Sequence, residues 1–389
     1  MSPDRFAWLA TGLAELDGEG LLRGRRSVAA LPDGWCEVDG RRLRNFASND
    51  YLGLAHDPRL IEAARGALSG GVGAGASPLV AGRGEWHARL EQRLAAFEGQ
   101  PAAVLFPTGY AANLGTIAAL AGRGDAAFCD RLNHASLVDA CRLSGARLRV
   151  YRRDRLEDFE RELAKAAGAA RRFVVTDSLF SMDGDAAPLP ELCALAEKHD
   201  ALLIVDEAHA TGVFGARGRG IAEWQGVEER VAVRVGTLSK AIGAVGGFVA
   251  GPRTLVDWLW NRARTQIYST ALPPAMCAAA CAAIDVIEQE PERRERLRAT
   301  AQRFRHELRD AGLVVPATCV GPIVPVILDG PRRAMRVAAE LEDEGFLVAA
   351  IRPPTVPRGT SRLRITLTAA HSDRDVEELA AAVARCAAG

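Results

Sequence analysis

Four things are missing from this chain of 389 residues, and each absence removes a class of function. Charge of one sign is not in excess. Lys+Arg and Asp+Glu both number 49, so no net field draws the protein to nucleic acid or to an anionic membrane. The eight scattered cysteines form no C-x-x-C pair, which argues against a metal site or disulfides and for buried free thiols in a reducing compartment. No long apolar run exists; the longest uncharged one, Ala275 to Ile284, is far too short to span a bilayer. Finally, no phosphate-cradling G-x-x-x-x-G-K-[ST] occurs, so Asp206-Glu207-Ala208-His209 is not read as the helicase box that its letters spell. Asp4 and Arg5 precede any apolar stretch, so no secretory signal is expected and a cytoplasmic protein is.

What is present is ordinary for a globular protein: 48% hydrophobic and 25% charged residues. The basic residues are mostly Arg and accompany many alanines, a mark of genomic composition before function. The length suits one large domain plus a smaller one. Residues 1–45 read as an amphipathic helix (Phe6, Leu9, Leu13, Leu16) and a hairpin turning at Asp39-Gly40. From Ala102 onward, short apolar runs at 102–106, 126–129, 147–151, 172–176, 202–206, 231–236 and 247–250 alternate with helical stretches. That pattern predicts an α/β fold with a mainly parallel central sheet and helices on both faces. After the helix at 274–289 the order changes to a smaller α+β domain, with strands at 323–328, 346–351 and 362–367. The expected division is a segment 1–45, a large domain 46–289 and a small domain 290–389.

Ligands of an open parallel sheet bind at the carboxyl ends of its strands. The polar residues that stand out fall there: Thr108-Gly109-Tyr110, Asp130 to His134, Thr176 to Ser181, Asp206 to His209 and Thr237 to Lys240. An aspartate ending a buried strand needs a partner for its charge. Asp206 with Lys240 and His209 supplies three groups that a pyridoxal phosphate site needs: a carboxylate for the pyridine nitrogen, an amine for a Schiff base, and an imidazole reaching the ring. Gly109 and Tyr110 open a helix whose first N–H groups suit a phosphate, and His134 is placed to stack on a pyridine ring. Arg352, between strand and prolines, suits a clamp on a carboxylate. The glycines from Gly70 to Gly75 follow no strand and are read as a loop rather than a dinucleotide site.

Jointly, Ser48-Asn49-Asp50-Tyr51-Leu52-Gly53, Gly109-Tyr110, Asn133-His134, Phe180-Ser181-Met182-Asp183-Gly184, the Asp206 box and Gly236-Thr237-Leu238-Ser239-Lys240 resemble the α-oxoamine synthases, a branch of the fold-type-I pyridoxal phosphate enzymes. The stretch Ile351 to Pro357 with Gly359 to Arg364 is most similar to the biotin-pathway members. The resemblance implies that Lys240 carries pyridoxal phosphate and moves a proton, Asp206 pairs with its nitrogen, and His134 stacks on it. It implies that His209 and Ser181 approach the phenolic oxygen. Gly109, Tyr110 and Thr237 would serve the phosphate, with Ser269 or Thr270 contributed across a homodimer interface. Arg352 would hold an amino-acid carboxylate, with Asn49, Thr355 and Arg23 near the substrates. The reaction so implied condenses L-alanine with a pimeloyl thioester carried on coenzyme A or acyl carrier protein. Glycine with another acyl thioester, a serine palmitoyltransferase-like reaction, and a non-catalytic subunit of the same fold remain alternatives.

Overall fold

The computed structural model describes residues 5–388. They divide into two compact units. The smaller holds the described residues through Ser48, then Met182–Gly184 and the chain from Ala299; the larger holds Asn49–Ser181 and Asp185–Arg298.

In the smaller unit, a helix over Ala7–Gly18 precedes strands β1 (Val28–Ala30), β2 (Trp35–Val38) and β3 (Arg41–Asn45). The β2–β3 hairpin turns where the sequence predicts, on Asp39 and Gly40, both with positive φ (51° and 82°), the backbone that two-residue hairpins favour. The helix departs from its expected role. None of its residues is buried, so its apolar stripe of Leu9, Leu13 and Leu16 lies on the surface of the chain.

The larger unit is built on seven strands: β4 (Ala102–Phe106), β5 (Ala126–Asp130), β6 (Arg147–Tyr151), β7 (Arg172–Asp177), β8 (Ala201–Asp206), β9 (Val233–Thr237) and β10 (Gly247–Gly251). Their order is β4-β10-β9-β8-β7-β5-β6. All neighbours are parallel except those of β10, which runs antiparallel to β4 and β9. Strands buried along their length, such as Ala-Ala-Val-Leu-Phe of β4, are what a sheet covered on both faces requires. Val104, Phe106, Ile117, Leu137, Phe173, Val175, Ile204, Val235 and Val249 share one core cluster. Each such large side chain contributes about 1.5–3 kcal/mol by leaving water. The helices end where their chemistry says. His134 N-caps Ala135–Ser144, which stops at Gly145 in the left-handed conformation (φ 77°).

Back in the smaller unit, β11 (Ile323–Asp329), β12 (Phe346–Leu347), β13 (Ala349–Ile351) and β14 (Ser361–Thr366) complete the strands. Residues 346–351, expected as one strand, are two. β12 joins β1-β2-β3 by parallel pairing with β3, whereas β13 joins β11 and β14.

The division corrects the sequence-based one in two places. The first 45 residues are not a separate segment, because β3–β12 pairing ties them to the C-terminal unit. The C-terminal boundary falls inside the helix Pro291–Asp310 rather than before it. Arg293 and Arg294 of its first turn donate to Leu52 O and Ile287 O in the larger unit, while Arg305 and Arg309 donate to Gly321 O and Val315 O in the smaller.

Candidate active site

The carboxyl ends of β5, β7, β8 and β9 lie side by side in the larger unit and carry most of the singled-out residues. Asp206 ends β8, level with Asp177 of β7 and Val235 of β9. Lys240 follows β9 by three residues, in the turn that leads to β10. The chain has only three lysines. Lys165 and Lys198 are in exposed ion pairs with Glu162 and Glu160, which leaves Lys240, half-buried at the strand ends, as the amine placed for chemistry.

Asp206 is 5% exposed. Its Oδ1 accepts from the Ala208 N–H at 2.7 Å and its Oδ2 from Asn113 Nδ2 at 2.6 Å, so both oxygens act as acceptors, as suits a carboxylate. Burial first, and then Asp206 across the sheet, push the Asp177 carboxyl well above the usual carboxylate range. Burial and a like charge on the neighbouring strand both disfavour ionisation of Asp177. Asp177 also accepts the His134 N–H at 2.6 Å, which fixes the start of the following helix.

His134 presents an exposed ring whose Nδ1 side is held against Ser136. Protein crowding lowers its pKa; the charge of Asp206 opposes that, and Lys240 adds to it. His209 is buried, with its Nδ1 2.5 Å from the Tyr51 hydroxyl. Asn49 sits two residues before that tyrosine and receives its hydroxyl at 3.4 Å. Ser181 lies four residues beyond β7 in the same unit, half-buried.

At the start of the helix Gly109–Leu120, Thr108 Oγ1 accepts from the Ala111 N–H at 3.0 Å. The N–H groups of Gly109 and Tyr110 come before the first internal helical acceptor and remain available to an anion. A Cβ at position 109 would meet Thr237 Cβ and Oγ1 at 3.1 Å, so glycine keeps this approach open. The Tyr110 hydroxyl is turned elsewhere and donates to Asp139 at 2.7 Å, which leaves the backbone of Tyr110 for an anion role. Thr237 Oγ1 donates to Gly246 O at 2.9 Å and lies 2.8 Å from Ser239 Oγ. Ser269 and Thr270 lie between the helices Arg264–Ile267 and Pro274–Gln289.

These features fit pyridoxal phosphate: an open helix start for a dianion, a buried acceptor-only carboxylate for a ring nitrogen, an exposed imidazole face, and one amine beside them.

Arg352, Thr355 and Arg23 belong to the smaller unit. The Arg352 guanidinium donates to Gly20 O and, at 3.0 Å, to Leu22 O, bracketing the turn before Arg23. The three residues line a cavity of about 620 Å³ with Met335, Ala338 and Ile351.

Four participants escaped the sequence reading. Asn113 and Ser136 connect Asp206 to His134, Tyr51 orients His209, and Asp177 anchors the His134 backbone N–H. The available signal for Asn113 was an amide inside an otherwise apolar helix, since buried polar groups are kept only with partners. Tyr51 and Asp177 sat within stretches already singled out, but nothing local marked them.

The family of aminotransferase class I and II matches residues 41–383. The chain belongs to that family, with the fold of its fold-type-I pyridoxal phosphate enzymes. Among curated relatives it is 50% identical over 385 residues to 8-amino-7-oxononanoate synthase of Anaeromyxobacter dehalogenans (strain 2CP-1), covering 99% of this chain and 96% of the relative. Serine palmitoyltransferase from S. paucimobilis, solved with bound PLP, superposes with a TM-score of 0.93 at 32% identity over 98% of this chain and 97% of that one. The 8-amino-7-oxononanoate synthase of Francisella tularensis superposes at 0.77 with 27% identity, over 88% and 97%. No helix among the described residues is long and apolar enough to cross a membrane.

Proposed function

We propose that this protein condenses L-alanine with a pimeloyl thioester, with loss of CO2, to give 8-amino-7-oxononanoate and the free carrier thiol in biotin biosynthesis. One observation carries the reading: Lys240, Asp206 and His134 meet on neighbouring strand ends in a chain half identical to relatives named for that product. In the balance of the reaction, alanine Cα bonds to the thioester carbonyl carbon, the carbon–sulfur bond breaks with a proton going to sulfur, and the carboxylate departs as CO2.

In this reading Lys240 Nζ would hold pyridoxal phosphate covalently. Asp206 would face its ring nitrogen, and His134 its ring face. His209 and Ser181 would face its phenolic oxygen, with Gly109, Tyr110 and Thr237 at its phosphate. When bound, pyridoxal phosphate accepts the electron pair left on Cα as its proton departs. Lys240 Nζ is the base that takes this proton and returns one to the product carbon. Asp206, whose two oxygens accept from Ala208 N–H and Asn113 Nδ2, is held in place at the strand end to face the ring nitrogen. Arg352 exchanges its carbonyl partners for the alanine carboxylate, a stronger acceptor for a guanidinium. Asn49, Arg23 and Thr355 orient the substrates. We place the enzyme in the cytoplasm as a homodimer, with Ser269 and Thr270 offered to the partner's phosphate site and the acyl group delivered on coenzyme A or acyl carrier protein.

The likeness to serine palmitoyltransferase favours a second reading with the same chemistry and other substrates. Release of coenzyme A from pimeloyl-, succinyl-, acetyl- and palmitoyl-CoA, each with alanine, glycine and serine, separates the two. Turnover is expected with alanine and pimeloyl-CoA. Turnover with glycine or serine alone would overturn the alanine assignment.

A further inference from the structure

We propose that Asn113 and Ser136 are positioning residues that hold His134 as its Nε2–H tautomer and tie that choice to Asp206. The inference rests on the reading of His134 as a residue facing the cofactor. Both residues are buried, Asn113 at 2% exposure and Ser136 at 0%. They come from different helices, Gly109–Leu120 and Ala135–Ser144, and meet between Asp206 and His134.

The two ends of this chain, Asp206 and the Ser136 backbone N–H, set the direction of the hydrogens between them. Asp206 Oδ2, 2.6 Å from the Asn113 amide, accepts from it, so the amide must turn its NH2 and not its carbonyl that way. The second hydrogen of that NH2 goes to Ser136 Oγ at 2.9 Å. Ser136 Oγ lies 2.7 Å from His134 Nδ1, and a ring nitrogen that already accepts from a backbone N–H leaves the hydroxyl as the donor of this contact. The Ser136 N–H, 3.3 Å away, points at the same ring nitrogen. Two donors aimed at Nδ1 require a lone pair on it, and the proton of the neutral ring then sits on Nε2.

The geometry carries a cost. Asn113 Oδ1 is buried and has no hydrogen-bond partner, an acceptor left unmatched so that both amide hydrogens can be spent on Asp206 and Ser136. A side chain that merely filled the core would not be retained in that state. The charged and titratable groups around His134 are Asp206, Lys240 and Asp139, with Asp177 at its backbone N–H; crowding outweighs the acids, so the ring is neutral and has a tautomer to choose. A substrate oxygen reaching the outer edge of the imidazole would meet a hydrogen rather than a lone pair.

The test is nitrogen NMR of the cofactor-loaded protein with 15N-labelled histidine, with His134 assigned by its loss in His134→Gln. Wild type is expected to show an unprotonated Nδ1 and a protonated Nε2. Ser136→Ala should give mixed tautomers and a kcat about ten-fold lower with KM little changed, the size expected for one lost hydrogen bond to a buried group. Ser136→Thr restores the hydroxyl and should restore both the spectrum and kcat. Asn113→Leu, which keeps the branching at Cγ, should loosen the tautomer as Ser136→Ala does, and circular dichroism checks that each variant folds. A protonated Nδ1 in wild type, or a Ser136→Ala protein with unaltered spectrum and kcat, overturns the proposal. Absorbance of bound pyridoxal phosphate in the same samples reads the cofactor assignment separately: its absence from folded wild type would sink that reading and not the tautomer.

Discussion

Polar side chains are handled differently around Asp206 and around Arg352. At Asp206 the carboxylate and the Asn113 and Ser136 side chains beside it are buried, both carboxylate oxygens accept hydrogen bonds, and an unmatched Asn113 oxygen is tolerated. At Arg352 the guanidinium donates to backbone carbonyls, Thr355 and Arg23 are exposed, and the cavity they line also holds Met335, Ala338 and the Glu342 that pairs with Arg26. The first arrangement is preorganised, suited to stabilising charge that develops during a reaction. The second is made of bonds that a ligand can replace at little cost, which suits recognition. The lesson is that the residues proposed for chemistry and those proposed for recognition are held at different degrees of rigidity.

Substitutions can break or sharpen this contrast, and the largest effect should come from the rigid side. Lys240→Ala should abolish turnover, by roughly a thousand-fold or more for loss of the residue that both holds and deprotonates. Borohydride, which should fix pyridoxal phosphate to the wild-type chain, should leave the variant unlabelled. Labelling of the variant would show that the amine is elsewhere. On the adaptable side, Arg352→Ala should raise KM for alanine by about ten- to hundred-fold, the loss of a charge-assisted bidentate contact, with a smaller change in kcat. A kcat collapse at unchanged KM would place Arg352 with the rigid group.

The smallest effect concerns stability. Glu98 is fully buried beside Arg234, and burial pushes its carboxyl up to about 8. Its folded pKa lies above the unfolded value near 4.5, so the stability it contributes is complete below that value and is lost as pH rises toward 8. Glu98→Gln should therefore flatten the fall in denaturation midpoint between about pH 5 and 8, as urea unfolding across that window would show. An unchanged slope would mean that Arg234 keeps Glu98 ionised.

Most of the larger unit was legible because apolar runs and turn residues are local signals. All seven strands of its sheet lie where those runs predict, and strand ends announced Asp206 and Lys240. What stayed hidden depends on distance along the chain. Asn113 finds Asp206 across 93 positions, and no local spacing encodes that. The pairing of Phe346 with Arg44 moved the N-terminal segment into the C-terminal unit for the same reason. The break at Val348 escaped because an apolar run of six reads alike whether it serves one sheet or two. The exposed helix Ala7–Gly18 shows the converse limit: period tells which side is apolar, not what covers it.

The eight thiols, all buried and none in a disulfide, have a practical consequence. A maleimide dye should ignore the native protein. A single cysteine introduced at Arg23 would then be the one reactive handle, reporting by its fluorescence when a ligand arrives beside Thr355, without any need to strip the natural cysteines first.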